Sequence, residues 1–151
     1  MKRFFLSLLL LFSFLGVALA QVPQLVQERS QLPVGAVGVT GSGTGTTGAI
    51  SATLAAASGK TTYICGFSYT GTNATAAQNG SVTVTGVITG TMSFGFPTIA
   101  TGVALLSPSP LVQNFYPCVP GSAVNTAIVV NGPALGAGAP LATVAAWGYQ
   151  Q

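Results

Sequence analysis

The chain contains very few side chains that can carry out acid–base or metal chemistry. It has one acidic residue, Glu28, and no histidine, and two of its four basic residues are Lys2 and Arg3. A Ser-His-Asp triad, a pair of catalytic carboxylates and a cluster of metal ligands all require residue types that are missing here. The sequence therefore predicts a protein that is not an enzyme and that binds no metal ion or cofactor.

One short motif is similar to the end of a phosphate-binding loop. It reads Ser-Gly-Lys-Thr over residues 58–61, but Leu54 stands where the first glycine of such a loop is required. A serine–lysine dyad built from Ser58 and Lys60 is equally weak, because Lys60 follows Gly59 in what reads as an exposed turn. We interpret this segment as a turn between two strands.

Cys65 and Cys118 are the only cysteines. An even number in an exported chain favours one disulfide between them, and the alternative is a pair of buried free thiols. A disulfide here would close a loop whose entropy corresponds to about 4 kcal/mol.

Four aromatic residues are candidates for stacking on a ligand. Trp147 and Tyr149 fall on the same face of the last predicted strand, and Tyr63 and Tyr69 belong to an earlier one. The functional interpretation is a platform that stacks on sugars or nucleobases. The structural interpretation is that one large ring fills a core rich in Gly and Ala while another covers its edge.

The N-terminus has the pattern of a cleavable export signal over residues 1–20. A basic start precedes an apolar stretch, and Ala18-Leu19-Ala20 offers small residues to a signal peptidase. A retained membrane anchor is the rival interpretation, but the apolar stretch is short for a spanning helix. We expect a secreted or periplasmic protein with no membrane attachment after cleavage.

Removing the signal peptide leaves Glu28, Arg29 and Lys60 as the charged side chains, so the net charge falls to near +1. A cluster of cations that could neutralise several phosphates is missing, which argues against a nucleic-acid partner. The predicted division is a signal peptide over 1–20, an N-terminal arm with a Gly/Thr-rich linker over 21–48, and one domain over 49–151.

From Ala49 onward, apolar and small polar residues alternate with period two between Gly, Pro and Asn breakers, which is typical of half-buried strands. The alternation places Tyr63, Cys65, Phe67 and Tyr69 on one face of a strand, with Ile64 opposite. Predicted strands are centred on 50–54, 63–69, 82–84, 92–96, 111–119, 124–130 and 141–149, with 99–106 as a strand or a crossing. This pattern predicts an all-β protein, a two-sheet β-sandwich or jelly roll of about seven or eight strands.

Three short motifs carry a resemblance to other proteins. They are Lys-Thr-Thr-Tyr-Ile-Cys-Gly-Phe at 60–67, Tyr-Pro-Cys-Val-Pro at 116–120 and Trp-Gly-Tyr-Gln at 147–150. In these motifs the chain resembles a loose group of short exported proteins of bacteria and phages, over about residues 49–151. The resemblance implies a compact β-sandwich with two cysteines, found as a terminal module of virion or tail-like proteins, and implies no functional residues.

These observations give two expectations for function. The first is a non-catalytic exported module that acts through its surface, in adhesion, in envelope structure or as a subunit of a larger assembly. A nearly uncharged surface lacks the repulsion that keeps molecules apart, so self-association into a homo-oligomer should follow. The second is a carbohydrate-binding module in which exposed aromatic rings stack on a glycan or another cell-surface partner.

Overall fold

The computed structural model of the protein describes residues 32–72, 74, 78–98, 109–136 and 141–151. The predicted signal peptide, the arm up to residue 31 and the segment 99–106 lie outside the described residues.

The described chain is all-β, as predicted, and has eight strands. They are β1 (Val37–Gly45), β2 (Ile50–Leu54), β3 (Thr62–Thr72), β4 (Gln78–Val87), β5 (Gly90–Thr98), β6 (Leu111–Pro120), β7 (Ile128–Gly132) and β8 (Leu141–Gln150).

The strands form two antiparallel four-stranded sheets. Sheet A has the order β1-β8-β3-β6, and sheet B has the order β2-β7-β4-β5. The pairing is nested, since β1 pairs with β8, β2 with β7, β3 with β6 and β4 with β5. The chain therefore follows one long antiparallel ribbon that folds over on itself.

The core lies between the two sheets and follows the period-two pattern of the sequence. In β2 the burial alternates strictly, with Ile50, Ala52 and Leu54 buried and the residues between them exposed. Aromatic rings join the sheets edge to face, because Phe67 of sheet A packs on Phe94 of sheet B with ring centroids 5.2 Å apart. Tyr69 meets Phe96 in the same manner at 4.7 Å. Such pairs add about 0.5–1.5 kcal/mol beyond the area they bury.

The arm and Gly/Thr-rich linker were predicted to extend over residues 21–48, and this was wrong for residues 37–45, which form β1. Gly41 and Gly43 face inward, where a side chain would collide with the backbone carbonyls of β2, and a side chain at Gly45 would collide with Ile50. The glycines thus let one edge of sheet A approach sheet B closely. The composition that suggested flexibility is instead a requirement of packing.

The predicted faces of β3 were also wrong. A register irregularity between Ile64 and Gly66 interrupts the alternation, so Ile64 is buried on the same side as Phe67. Tyr63 is left on the outer side of the sheet. A β-bulge inserts an extra residue, which moves everything beyond it to the opposite face from the one that simple alternation predicts.

The strand predicted over 124–130 begins only at Ile128. Asn125 has a φ of 61°, a left-handed conformation that ends extended structure. Its side-chain Oδ1 accepts a hydrogen bond from the Gly59 N–H at 2.7 Å, and its own N–H donates to the Lys60 carbonyl at 3.0 Å. Asn125 therefore clamps the Ser58–Gly59 turn, whose prediction is confirmed.

The predicted disulfide between Cys65 and Cys118 is confirmed. It joins the central strand β3 to the edge strand β6. Residues 115–118 of β6 lie opposite Cys65 alone, because Asn114 pairs with Gly66 and Val119 pairs with Ile64. The disulfide thus ties β3 to β6 at the irregular segment 115–118, where the regular register of the two strands is interrupted.

Adding a methyl group at Gly43 should destabilise the fold. Gly43→Ala drives a Cβ into the Ser51 carbonyl, and we expect a loss of about 2 kcal/mol or more in the free energy of unfolding. Gly95→Ala in β5 is the matched control, because no atom lies within 4 Å of the place its new methyl group would take. Urea denaturation monitored by Trp147 fluorescence measures both. Equal stability of the two variants would contradict the close approach of β1 to β2.

Removing the disulfide should lower the free energy of unfolding by about 4 kcal/mol, because the two cysteines are 53 residues apart and the open chain regains loop entropy. Urea denaturation of the Cys65→Ser, Cys118→Ser double variant measures this loss. The reduced wild-type protein is the control and should match the variant. A loss below about 1 kcal/mol would be too small for the entropic account.

Candidate binding face on sheet A

The outer faces of the two sheets differ in chemistry. The outer face of sheet B, here called face B, presents mostly small hydroxyl and amide side chains: Ser51, Thr53, Ser81, Thr83, Thr85, Thr91, Ser93, Val129 and Asn131. The strand register aligns Ser51, Asn131, Thr83 and Ser93 in one row across all four strands. Face B is therefore a polar surface suited to contact with water.

The outer face of sheet A, here called face A, carries large apolar and aromatic groups. They are Tyr63 of β3, Val112 of β6, and Leu141, Ala145, Trp147 and Tyr149 of β8. Val112 and Leu141 are 54% and 56% exposed. Threonine and serine residues lie between these groups, and Thr70 and Thr143 share a hydrogen bond across the strands. Face A thus combines exposed apolar area with uncharged hydroxyls.

Tyr63 and Tyr149 form a stacked pair at one end of face A. Their ring centroids are 4.6 Å apart and their planes differ by 12°. The residues are direct partners on β3 and β8, and neighbouring strands are about 4.8 Å apart. The two rings therefore stand side by side along the direction between the strands. The second face of Tyr149 is turned toward β1, where its partner is Gly38.

Trp147 lies beside this pair on the same strand. A side chain at Gly66 would meet Trp147 at 2.5 Å and the Gln113 carbonyl at 2.6 Å, so the indole occupies the space over Gly66. The row through Trp147 runs from Thr40 of β1 to Asn114 of β6. Glycine at position 66 is what allows the indole to lie across the sheet.

The polar atoms of these three rings have no hydrogen-bond partner within the part of the chain that the structure describes. Tyr63 Oη, Tyr149 Oη and Trp147 Nε1 make no hydrogen bond to another described residue, and no buried side-chain N or O atom of the described chain lacks a partner. Burial raises the pKa of the Tyr149 hydroxyl, and the neighbouring Tyr63 raises that pKa further. The Tyr149 hydroxyl therefore stays protonated at physiological pH and can both donate and accept hydrogen bonds.

Tyr69 was predicted as a stacking residue, and the structure contradicts this. Its side chain is 0% exposed, its ring packs on Phe96 and its hydroxyl donates to the Pro133 carbonyl at 3.4 Å. Burial also raises the pKa of Tyr69. The bulge between Ile64 and Gly66 is the physical reason, because it places Tyr69 on the opposite face from Tyr63.

Tyr116 was not among the residues predicted from the sequence, and its side chain is 98% exposed. It belongs to the irregular segment 115–118 of β6 and is followed by Pro117 through a cis peptide bond. The prolines at 117 and 120 were a usable signal, because proline in a strand marks an edge or a bulge where side chains turn to solvent. Tyr116 adds a fourth aromatic ring to the surface, at the edge of sheet A.

The described residues contain no group of three or more potential metal ligands and no helix long and apolar enough to cross a membrane. Lys60 is the one charged side chain among them, and it lies in the turn held by Asn125. No family model, no curated protein and no solved structure matches the chain. The functional proposal therefore depends on the arrangement of face A.

The stability of the protein should fall as the pH rises above about 10. Tyr69 and Tyr149 have a pKa raised above 10.0 by burial, so the unfolded chain releases these protons first. The contribution of these two hydroxyls to the free energy of unfolding is complete below their pKa in the unfolded chain. It is lost as the pH rises through their pKa in the folded protein. Urea denaturation at pH 8 to 11 should show a smaller decline for Tyr149→Phe than for wild type.

Ser93→Ala is the control for that measurement, because it removes an exposed hydroxyl that does not titrate in this range. The stability of this variant should decline with pH as that of wild type does. If the stability of Tyr149→Phe and that of wild type change identically with pH, the pKa of Tyr149 is not raised in the folded protein.

Proposed function

We propose that the protein is a non-catalytic, exported β-sandwich module that acts by contact through face A, in adhesion, in envelope structure or as a subunit of a larger assembly. The observation that carries the proposal is the difference between the two outer faces. Face B offers hydroxyls and amides, whereas face A presents Val112, Leu141 and three aromatic rings. Val34, Ile88, Val124 and Tyr116 are exposed as well, outside the two sheet faces. Of the two outer sheet faces, face A is the one that groups apolar side chains with aromatic rings, and such grouping marks an interaction surface.

The electrostatics support the same proposal. Lys60 is the one charged side chain among the described residues, so two copies, or one copy and a neutral partner, approach with little repulsion. A net charge near zero promotes association. A nucleic-acid partner would instead require several cations to replace counterions.

The nested strand pairing supports assembly or recognition as the role. Pairing of the first strand with the eighth, the second with the seventh, the third with the sixth and the fourth with the fifth is the order of a jelly roll. Jelly rolls serve as viral capsid subunits and as lectin domains. The support is by analogy, because one fold hosts many functions. It agrees with the resemblance to virion and tail-like modules.

The disulfide supports export. Disulfides form and persist in oxidising compartments, and Cys65–Cys118 ties the central strand of sheet A to its edge. Together with the signal pattern over residues 1–20, this favours a secreted or periplasmic location.

Placing a charge on face A should abolish the contact. Val112→Lys puts an ammonium group at an exposed apolar position of face A, and Ser93→Lys adds the same charge at an exposed position of face B. In sedimentation velocity of the processed protein, we expect wild type and Ser93→Lys to self-associate with rising concentration. Val112→Lys should remain monomeric, because burying an unpaired charge is costly.

Two results would contradict this proposal. A wild-type protein that stays strictly monomeric at high concentration would remove the assembly role and leave only adhesion to another partner. Loss of association in Ser93→Lys but not in Val112→Lys would show that the contact is made by the other face.

A further inference from the structure

We propose that the aromatic end of face A binds a neutral pyranose chain, with one sugar ring stacked on the face of Tyr149 that is turned toward Gly38. This inference rests on the proposed function, because it takes face A as the working surface and names the chemistry of its partner. The site consists of Tyr149, Trp147 and Tyr63, with Gly38, Thr40 and Asn114 around them.

The space beside Tyr149 fits a flat ring. One face of Tyr149 is covered by Tyr63, and its other face is turned toward Gly38, which has no side chain and is exposed. Pyranose rings whose hydroxyls are equatorial carry their C–H bonds on the ring faces, and such a face packs flat on an aromatic ring. Gly38 therefore places no side chain of its own against this face of Tyr149.

The aromatic surface continues along the strand. Trp147 is two residues from Tyr149 on β8 and on the same face, a separation of about 6.6 Å along a strand. Because the indole extends over Gly66 and the open face of Tyr149 is turned toward Gly38, the two rings offer separate contacts on the two sides of β8. Single rings bind single sugars weakly, so two contacts favour a longer chain over a monosaccharide.

The polar groups around the rings match those of a sugar. Sugar hydroxyls both donate and accept hydrogen bonds, and the neighbouring side chains do the same: the hydroxyls of Thr40, Tyr63 and Tyr149, and the amide of Asn114. Thr40 and Asn114 lie on the two sides of Trp147 in the same row of face A. The tyrosine hydroxyls make no hydrogen bond to another described residue.

The charge of the surface favours a neutral ligand. Within the described ranges Lys60 is the one basic side chain, and there is no Asp or Glu. Acidic glycans and nucleic acids gain most of their affinity from several cations, which face A does not offer. A proline-rich peptide docks in a groove between aromatic side chains, but Tyr63 and Tyr149 are in contact and leave no groove between them.

The test uses the processed protein and four soluble probes. Cellohexaose and the N-acetylglucosamine hexamer are neutral pyranose chains, hexagalacturonate is a charged one and decaproline represents a proline-rich peptide. Trp147 is the single tryptophan, so its fluorescence reports directly on the site, and calorimetry gives the affinity. We expect at least one neutral hexamer to bind and to change the fluorescence, with no binding of the other two probes.

Variants then locate the site. Tyr149→Ala and Trp147→Ala should each weaken binding more than tenfold, and Gly38→Val should do the same by placing a side chain beside the Tyr149 ring while leaving all three rings in place. Tyr149→Phe keeps the ring and should weaken binding no more than about fivefold, the cost of one hydrogen bond. Ser93→Ala on face B should bind as wild type does. Circular dichroism establishes that each variant is folded.

Three results would overturn the inference: no binding of either neutral hexamer to folded protein, preferential binding of hexagalacturonate or decaproline, or unchanged affinity in folded Tyr149→Ala. Each leaves the proposed function to be decided separately by the sedimentation of Val112→Lys. If Val112→Lys self-associates as wild type does while sugar binding is retained, face A acts in recognition and not in assembly.

Discussion

The antiparallel pairing of β3 with β8 determines where the aromatic side chains of sheet A lie. In the register of these two strands Tyr63 faces Tyr149, and the rings stack on the outer side of the sheet. Further along the same pair, Tyr69 faces Val144 and both are buried. The irregularity between Ile64 and Gly66 makes this division, because one extra residue reverses the side to which a strand's residues point. Without it Tyr63 and Tyr69 would share a face, and the core and the outer platform would compete for the same rings.

Glycine is used in this protein to bring surfaces together as much as to turn the chain. At Gly41 and Gly43 the backbone of β1 approaches the carbonyls of β2, and at Gly66 the missing side chain makes room for the indole of Trp147. Gly132 does the same beneath the ring of Tyr69 in the core. A sandwich with few large aliphatic residues reaches dense packing in this way, because dispersion contacts depend on close approach and not on the size of any one side chain.

The low charge of the described surface and the chemical difference between its two faces both favour a neutral partner. Lys60 is the single charged side chain of the described residues, so the described surface offers little electrostatic steering to charged ligands. The recognition that we propose for face A uses ring faces and hydroxyls that donate and accept hydrogen bonds. Such contacts are individually weak, so a role in adhesion or assembly, where many copies act together, suits this chemistry better than tight binding of a single small molecule.

The sequence by itself determined the all-β class, the alternating core of β2 and the Ser58–Gly59 turn, because each depends on local periodicity or turn chemistry. It favoured the pairing of Cys65 with Cys118 over two free thiols. It also named Trp147, Tyr149 and Tyr63 as candidates for stacking, with a place in the core as the alternative. Tertiary structure decided the rest. The role of Gly41–Gly45 as a packed strand, the burial of Tyr69 and the exposure of Tyr116 depend on which strands meet and in what register. A bulge or a close approach between sheets arises from contacts between residues distant in the chain, and no local pattern encodes them.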